Sequence, residues 1–281
     1  MTGLSQTLRD AAARLDGISD MPRLDAELLM AHSLGCARSD MLLRQTDLAV
    51  PAGFAELLER RMRHEPVAYI TGRQAFWDIV LAVTPDVLIP RADSETLIET
   101  ALEGPAPARV LDLGTGSGAL LLAALSAFPN ARGVGIDASA AALAVAADNA
   151  QRLGFGGRPV WLHRSWRNAG WSDDLGHFDL ILCNPPYVET DADLAPMVAA
   201  HEPHSALFAG PDGMDDYRIL IPQVPALLAT GGIAIFEIGH TQAGAVNDLA
   251  SQAGLSTDMR RDLAGKPRAL RFSLGIIAAG S

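Results

Sequence analysis

The spacing of apolar residues changes twice along the chain. In LSQTLRDAAARL, Leu4, Leu8, Ala11, Ala12 and Leu15 recur at helical spacing. Asp20 and Pro22 before it and Gly35 after it bracket a second predicted helix, with Leu24, Leu28, Ala31 and Leu34 on one face. A third starts near Pro51, runs through Phe54, Leu57, Leu58 and Met62, and is stopped by Pro66. Residues 1–66 therefore read as a small helical domain, one that buries little surface alone. From Val67 the period shortens. VAYITG and FWDIVLAV are β-branched and aromatic, with Gly72 between them, which predicts a β-hairpin. Pro85 and Pro90 then mark a linker, completing a segment over 67–93, and Asp93 or Ser94 is the expected cap of the next helix.

Residues 94–281 alternate strand and helix. RVLDL, ARGVGID, PVWLH, FDLILC and GIAIFEI are strand-like, and predicted helices 118–128, 138–153, 214–229 and 241–253 separate most of them. Strand candidates at 257–260 and 269–274 bring the number to about seven. Near-continuous apolar strands between helices predict an α/β fold with a doubly wound, mostly parallel sheet covered on both faces.

Composition narrows the class. The chain has 281 residues, 49% hydrophobic and 20% charged, as expected of a globular protein. Its longest apolar stretch, residues 119–125, is far short of the roughly 20 residues that span a bilayer, and MTGLSQTLRD lacks the build of a signal peptide, so a cytoplasmic location without membrane contact is expected. Cys36 and Cys183 are too few for a disulfide framework. Of the net charge of −11, residues 1–83 carry nine arginines against eleven acids, leaving −9 on the rest. That second part is a poor phosphate binder, so no direct nucleic-acid contact is expected. The basic run Arg260, Arg261, Lys266, Arg268 and Arg271 reads as solvated surface.

Two motifs carry the chemistry. In VLDLGTGSGALLLAAL, Gly114, Gly116 and Gly118, with Thr115 and Ser117, permit a sharp turn and close approach of backbone N–H groups to a ligand at a helix N-terminus. With Ala119 in the final position the loop also fits a dinucleotide fingerprint, so a nicotinamide cofactor is a rival reading. Asp137 ends the next strand, where a carboxylate accepts hydrogen bonds from ribose hydroxyls or caps the following helix. Asp112, inside an apolar strand, is expected to organise the loop by accepting backbone N–H bonds. The second motif is Asn184-Pro185-Pro186-Tyr187, after the fourth strand and on the same sheet edge. Two prolines stiffen the turn and remove competing donors. The Asn184 side-chain oxygen and the Pro185 carbonyl can then both accept from one planar –NH2 group beside the Tyr187 ring. His201 and His204, separated by Pro203, lack a ligand cluster, and no metal is expected.

Together the glycine loop, Asp137 and NPPY resemble the S-adenosylmethionine-dependent methyltransferases that modify adenine N6 or glutamine side chains. EPVAYITGRQAFWDIVLAVTPDVLIPRADSETLIE, HEPHSALFAGPDGM, FEIG and RRDLAGKPRAL further resemble, in order and spacing over nearly the whole chain, the N5-glutamine methyltransferases of peptide chain release factors. Ala92 departs from the family's usual proline, and Ser94 stands where threonine is usual. The resemblance implies a Rossmann-like methyltransferase domain over 94–281 and S-adenosylmethionine held by Gly114, Thr115, Gly116, Ser117, Gly118, Asp137, Trp166 and Asn184. It also implies a substrate glutamine, from the Gly-Gly-Gln loop of a release factor, held by Asn184, Pro185, Pro186 and Tyr187, with Asn184, Pro185 and Tyr187 at the reacting centre and residues 1–66 gripping the partner. Trp166 reads equally as a core tryptophan. The alternatives are methylation of a ribosomal-protein glutamine, methylation of adenine N6, and a nicotinamide-dependent oxidoreductase, which leaves NPPY unexplained.

Overall fold

A computed structural model describes residues 3–275. The chain divides into two compact units, Met1–Arg73 with Leu194–Glu202, and Gln74–Asp193 with Pro203–Ser281. In the first, α1 (Leu4–Arg14), α2 (Pro22–Leu34), α3 (Arg38–Leu43), α4 (Phe54–Met62) and α5 (Val67–Thr71) share one core. Helix α1 buries the predicted Leu4, Leu8 and Ala11, with Leu15 just beyond it. Helix α2 begins at Pro22 and ends at a left-handed Gly35, as its flanks require. Its innermost stripe is Ala26, Leu29 and Met30, however, while Leu24, Leu28 and Leu34 are half-buried. The reason is that α1, α4 and α5 all pack on α2, so more than one face meets apolar neighbours. The buried Glu27 is paired with Arg23 and Arg38, and Asp25 with the buried Arg61.

The strand expected in VAYITG is a helix. Pro66 precedes α5, its carbonyl accepts from the Tyr69 and Ile70 amides, and a left-handed Gly72 ends the turn. Ala68, Tyr69 and Ile70 are buried in succession, a demand that an alternating strand does not meet. Tertiary burial here overrides β-propensity. The hairpin is shorter than expected: β1 (Arg73–Phe76) and β2 (Ile79–Ala82) join at Trp77 and Asp78. Trp77 has φ 55°, and its N–H donates to Glu95.

A 3-10 turn, Ala92–Ser94, leads into α6 (Glu95–Leu102). Neither predicted cap serves there: Asp93 pairs with Arg268, and the Ser94 hydroxyl donates to Glu237. There follow β3 (Arg109–Leu113), α7 (Ala119–Ala127), β4 (Arg132–Asp137), α8 (Ala140–Arg152), β5 (Pro159–His163), β6 (Phe178–Cys183) and α9 (Pro196–His201), the last within the first unit. The chain then forms α10 (Asp215–Leu220), α11 (Val224–Leu227), β7 (Leu228–Glu237), α12 (Ala243–Gln252), β8 (Leu255–Arg261) and β9 (Pro267–Leu274). The single helix expected over 214–229 is broken between α10 and α11 by a 3-10 turn at Ile221–Gln223, where Pro222 and then Pro225 withhold amide donors.

Seven strands form one sheet in the order β5-β4-β3-β6-β7-β9-β8. The pairs from β5 to β7 are parallel, and β9 is antiparallel to both β7 and β8. Successive residues serve opposite faces, as strand geometry dictates. Leu111, Leu113, Ile181 and Cys183 join a core with Tyr217, Leu220 and Val246, whereas Val110, Leu180 and Leu182 join another with Leu97, Ile98 and Leu121. Both faces are thus covered by helices. Two members of the basic run are paired with acids within this unit, Arg260 with Glu103 and Asp258, Arg268 with Asp93 and Asp262. Among the described residues no helix is long and apolar enough to cross a membrane.

Candidate active site

Strand register brings the site residues to one level. Leu113 stands opposite both Ile136 and Cys183, and Cys183 opposite Phe236. The residues that follow, Gly114, Asp137, Asn184 and Glu237, therefore leave the carboxyl edge together. This edge lies where the strand order reverses on either side of β3, the position at which open α/β sheets take ligands.

The glycine loop is built from backbone. Gly114, Gly116 and Gly118 have φ of 73°, 54° and 84°, a region other residues rarely adopt. The amides of Gly114 and Thr115 both donate to Ile136 O at 2.9 Å. Asp137 shapes the turn on both sides: Oδ2 accepts from Gly116 N at 2.9 Å and Oδ1 from Ser139 N at 2.8 Å. Burial raises its pKa, against the lowering effect of those amides. The cap of α8 is Ser139, which accepts from Ala142 N, so Asp137 is not that cap. Asp112 differs in part from expectation. Its Oδ2 accepts from the Thr115 hydroxyl at 2.6 Å, so a side-chain donor joins the expected backbone N–H, which comes from Leu121, and Oδ1 is buried without a hydrogen-bond partner of good geometry. Burial pushes its carboxyl up to about 7, opposed by the Thr115 hydroxyl and the Leu121 amide. Asn149, buried in α8, accepts from Ala82 N and donates to Ala82 O and Ser117 O, tying the loop to β2.

A cavity of about 540 Å³ opens at this edge. Of the sequence-predicted residues, Gly114, Thr115, Gly116, Ser117, Asp137, Trp166, Asn184 and Pro186 line it. Gly118, Pro185 and Tyr187 lie outside that lining. Gly118 is backed by Leu122, Ala146 and Trp161 within 3.3 Å of where a Cβ would stand, and Pro185 is buried. Trp166 flanks Gly114, where a Cβ would come within 3.1 Å of its ring. Its indole N–H donates to Asp216 Oδ1 at 2.7 Å, which also receives Arg167. The segment from Pro85 to Pro90, read from sequence as a linker, supplies part of the wall, as does Ser94.

At the end of β6, Asn184 Nδ2 donates to Ser94 Oγ at 3.3 Å, Ser94 Oγ donates to Glu237 Oε2 at 2.5 Å, and the Tyr187 hydroxyl donates to Glu237 Oε1 at 3.1 Å. Burial raises the pKa of Glu237, opposed by the Ser94 hydrogen bond and the charge of Arg268. Burial also raises the Tyr187 phenol, reinforced by the Glu237 charge. Burial drives the adjacent Cys183 thiol well up as well, leaving it an uncharged core group. Sequence reasoning assigned no site role to Ser94, Asn149, Asp216 or Glu237. For Glu237 the available signal was a carboxylate at the end of an otherwise apolar strand, the same signal that drew attention to Asp112 and Asp137.

Residues 6–72 match the family model described as PrmC N-terminal domain, and residues 92–202 that described as Methyltransferase small domain. A release factor glutamine methyltransferase of Caulobacter vibrioides is 40% identical over 267 residues, 92% of this chain and 89% of that protein. One from Bordetella pertussis is 44% identical over 256 residues, 88% of this chain and 93% of that protein. A methyltransferase structure from Pyrococcus furiosus shares the fold, with a TM-score of 0.55 at 17% identity over 79% of this chain and 100% of that one. With relatives this similar along most of its length, the chain belongs to the release factor glutamine methyltransferase family.

Proposed function

We propose that the protein transfers a methyl group from S-adenosylmethionine to the side-chain amide nitrogen of the glutamine in the Gly-Gly-Gln loop of peptide chain release factors. The observation that carries this reading is the shared cavity: the glycine loop, Asp137 and Asn184 face one space at the switch point of the sheet. About 540 Å³ is within the range of small-molecule sites. The donor set suits a nucleoside with a charged tail. The Asp137 carboxylate takes backbone amides of Gly116, Ser139 and Ala138 and, with about four lone-pair sites, retains one for a ribose hydroxyl, and Trp166 offers an aromatic face beside the loop. When bound, S-adenosylmethionine supplies a methyl group already activated on a sulfonium.

The protein's own task is to make an amide nitrogen reactive. Its lone pair is delocalised into the carbonyl. Asn184 Oδ1 and the Pro185 carbonyl accept hydrogen bonds from its two N–H groups, which draws density back to nitrogen and stabilises the positive charge that develops as the methyl group arrives; the methyl–sulfur bond breaks to leave S-adenosylhomocysteine, and one of the two N–H protons is then released to water. Pro186 has no N–H to compete for those oxygens. Holding the nitrogen in line provides much of the remaining acceleration. The helical N-terminal unit is the proposed grip on the release factor, and the site operates in the cytoplasm.

Mass spectrometry of a release factor incubated with enzyme and S-adenosylmethionine tests the proposal. One added methyl on the Gly-Gly-Gln glutamine is expected. An unmodified release factor together with a methylated ribosomal protein, or with methylated adenine in DNA or RNA, overturns it in favour of those substrates.

A further inference from the structure

Glu237 is a buried carboxylate, 1% exposed, that the chemistry above does not use. It stands at the level of Asn184 on the neighbouring strand and meets both ends of the Asn-Pro-Pro-Tyr segment, Tyr187 directly and Asn184 through Ser94. We propose that Glu237 and Ser94 are positioning residues for methyl transfer: through them one buried carboxylate sets which end of the Asn184 side-chain amide faces the cavity. This inference rests on the reading of Asn184 Oδ1 as an acceptor for the substrate amide.

The number of protons available fixes the orientation. An ionised carboxylate only accepts, so each hydroxyl that meets it must donate. Ser94 has one proton, and it is spent on Glu237 Oε2 at 2.5 Å. Towards Asn184 the Ser94 oxygen is therefore only an acceptor, and the Asn184 –NH2 must point at it. The opposite end of the amide, Oδ1, is then left for the substrate. Reversing the amide would set two acceptors, Oδ1 and Ser94 Oγ, against each other. Tyr187 spends its own proton on Glu237 Oε1, which anchors the far end of the segment. Prolines 185 and 186 hold the backbone between these two anchors. They do not set the rotation of an asparagine amide, whose terminal torsion is broad and roughly two-fold. Arg268, 13% exposed on its side chain and paired with Asp93 and Asp262, also favours the ionised form of Glu237 by its charge.

Three variants of the full-length protein test this: Ser94→Ala, Ser94→Thr and Glu237→Gln. The first readout needs no substrate. Solvent exchange of the Asn184 side-chain amide protons, assigned in the NMR spectrum by their loss in Asn184→Asp, should be slow in the wild type, fast in Ser94→Ala, and slow again in Ser94→Thr, which keeps the hydroxyl. The second readout is steady-state methylation of a release factor. In Ser94→Ala, kcat should fall about tenfold, the factor one such hydrogen bond carries, while calorimetry shows unchanged affinity for S-adenosylmethionine, and Ser94→Thr should recover most of the loss. Glu237→Gln supplies an amide that can donate to Ser94, freeing the hydroxyl proton to face Asn184, so it should lower kcat without altering cofactor affinity. It carries the comparison if Ser94→Ala does not fold. Equal exchange of the Asn184 amide in wild type and Ser94→Ala overturns the inference, as does a Ser94→Thr enzyme no better than Ser94→Ala. If the wild type fails to methylate any release factor, the functional reading fails, and the exchange experiment still decides the orientation.

Discussion

The two loops that leave β3 and β6 end at the same level of the sheet and line one cavity, yet they are built on opposite plans. After β3, recognition is entrusted to the backbone. Glycines in the left-handed region turn the amides, and the groups that hold those amides come from the next strand, as in the bonds from Thr115 N to Ile136 O and from Gly116 N to Asp137. After β6, prolines immobilise the backbone and a side chain does the recognising. Its partners lie far off in sequence: Ser94 is 90 positions from Asn184, and Glu237 is 50 from Tyr187. A loop that presents backbone amides can be specified locally, because φ and ψ are the only variables. A loop that presents one end of an amide needs a distant partner to choose between two rotations of similar energy.

That contrast predicts separable failures. The largest expected effect is on the β6 side: Asn184→Ala should lower kcat by about 10²–10³-fold, the usual consequence of losing one preorganised group that stabilises developing charge, with calorimetric affinity for S-adenosylmethionine nearly unchanged. A parallel collapse of cofactor affinity would show that the two loops do not divide the labour. On the β3 side, Asp137→Ala should weaken cofactor binding by about 10–100-fold, the range for hydrogen bonds to a charged group, and should lower methylation only as far as the site goes unfilled. Were saturating cofactor unable to restore turnover, Asp137 would belong to the reacting half instead.

The smallest effect sharpens the comparison through pH. The folded Asp112 carboxyl is pushed up to about 7, above the usual carboxylate range near 4. Its contribution to stability is therefore fully present below about pH 4 and is lost as pH rises through 7, because the buried group must then ionise or the chain unfold. In Asp112→Asn that segment of the profile should flatten. Urea unfolding midpoints between pH 5 and 8 should show the variant gaining on the wild type as pH rises, and parallel curves would argue that Asp112 ionises freely.

Sequence alone determined what depends on neighbouring residues. The alternation of apolar strands and helices dictated a mostly parallel sheet of seven strands, three glycines dictated a loop of positive φ, and two prolines dictated a stiff turn, because each of these follows from covalent geometry and the period of burial. Where a choice depended on what lies across the fold, local reasoning failed. VAYIT has strand propensity but becomes a helix since three successive side chains must be buried. The segment 85–90 reads as a linker but walls a cavity. Ser94 has the chemistry of a helix cap, yet its hydroxyl goes to Glu237. Only tertiary structure could decide that assignment, because a single proton is donated to whichever acceptor the packed sheet brings within reach, and strand pairing rather than position along the chain puts Glu237 there.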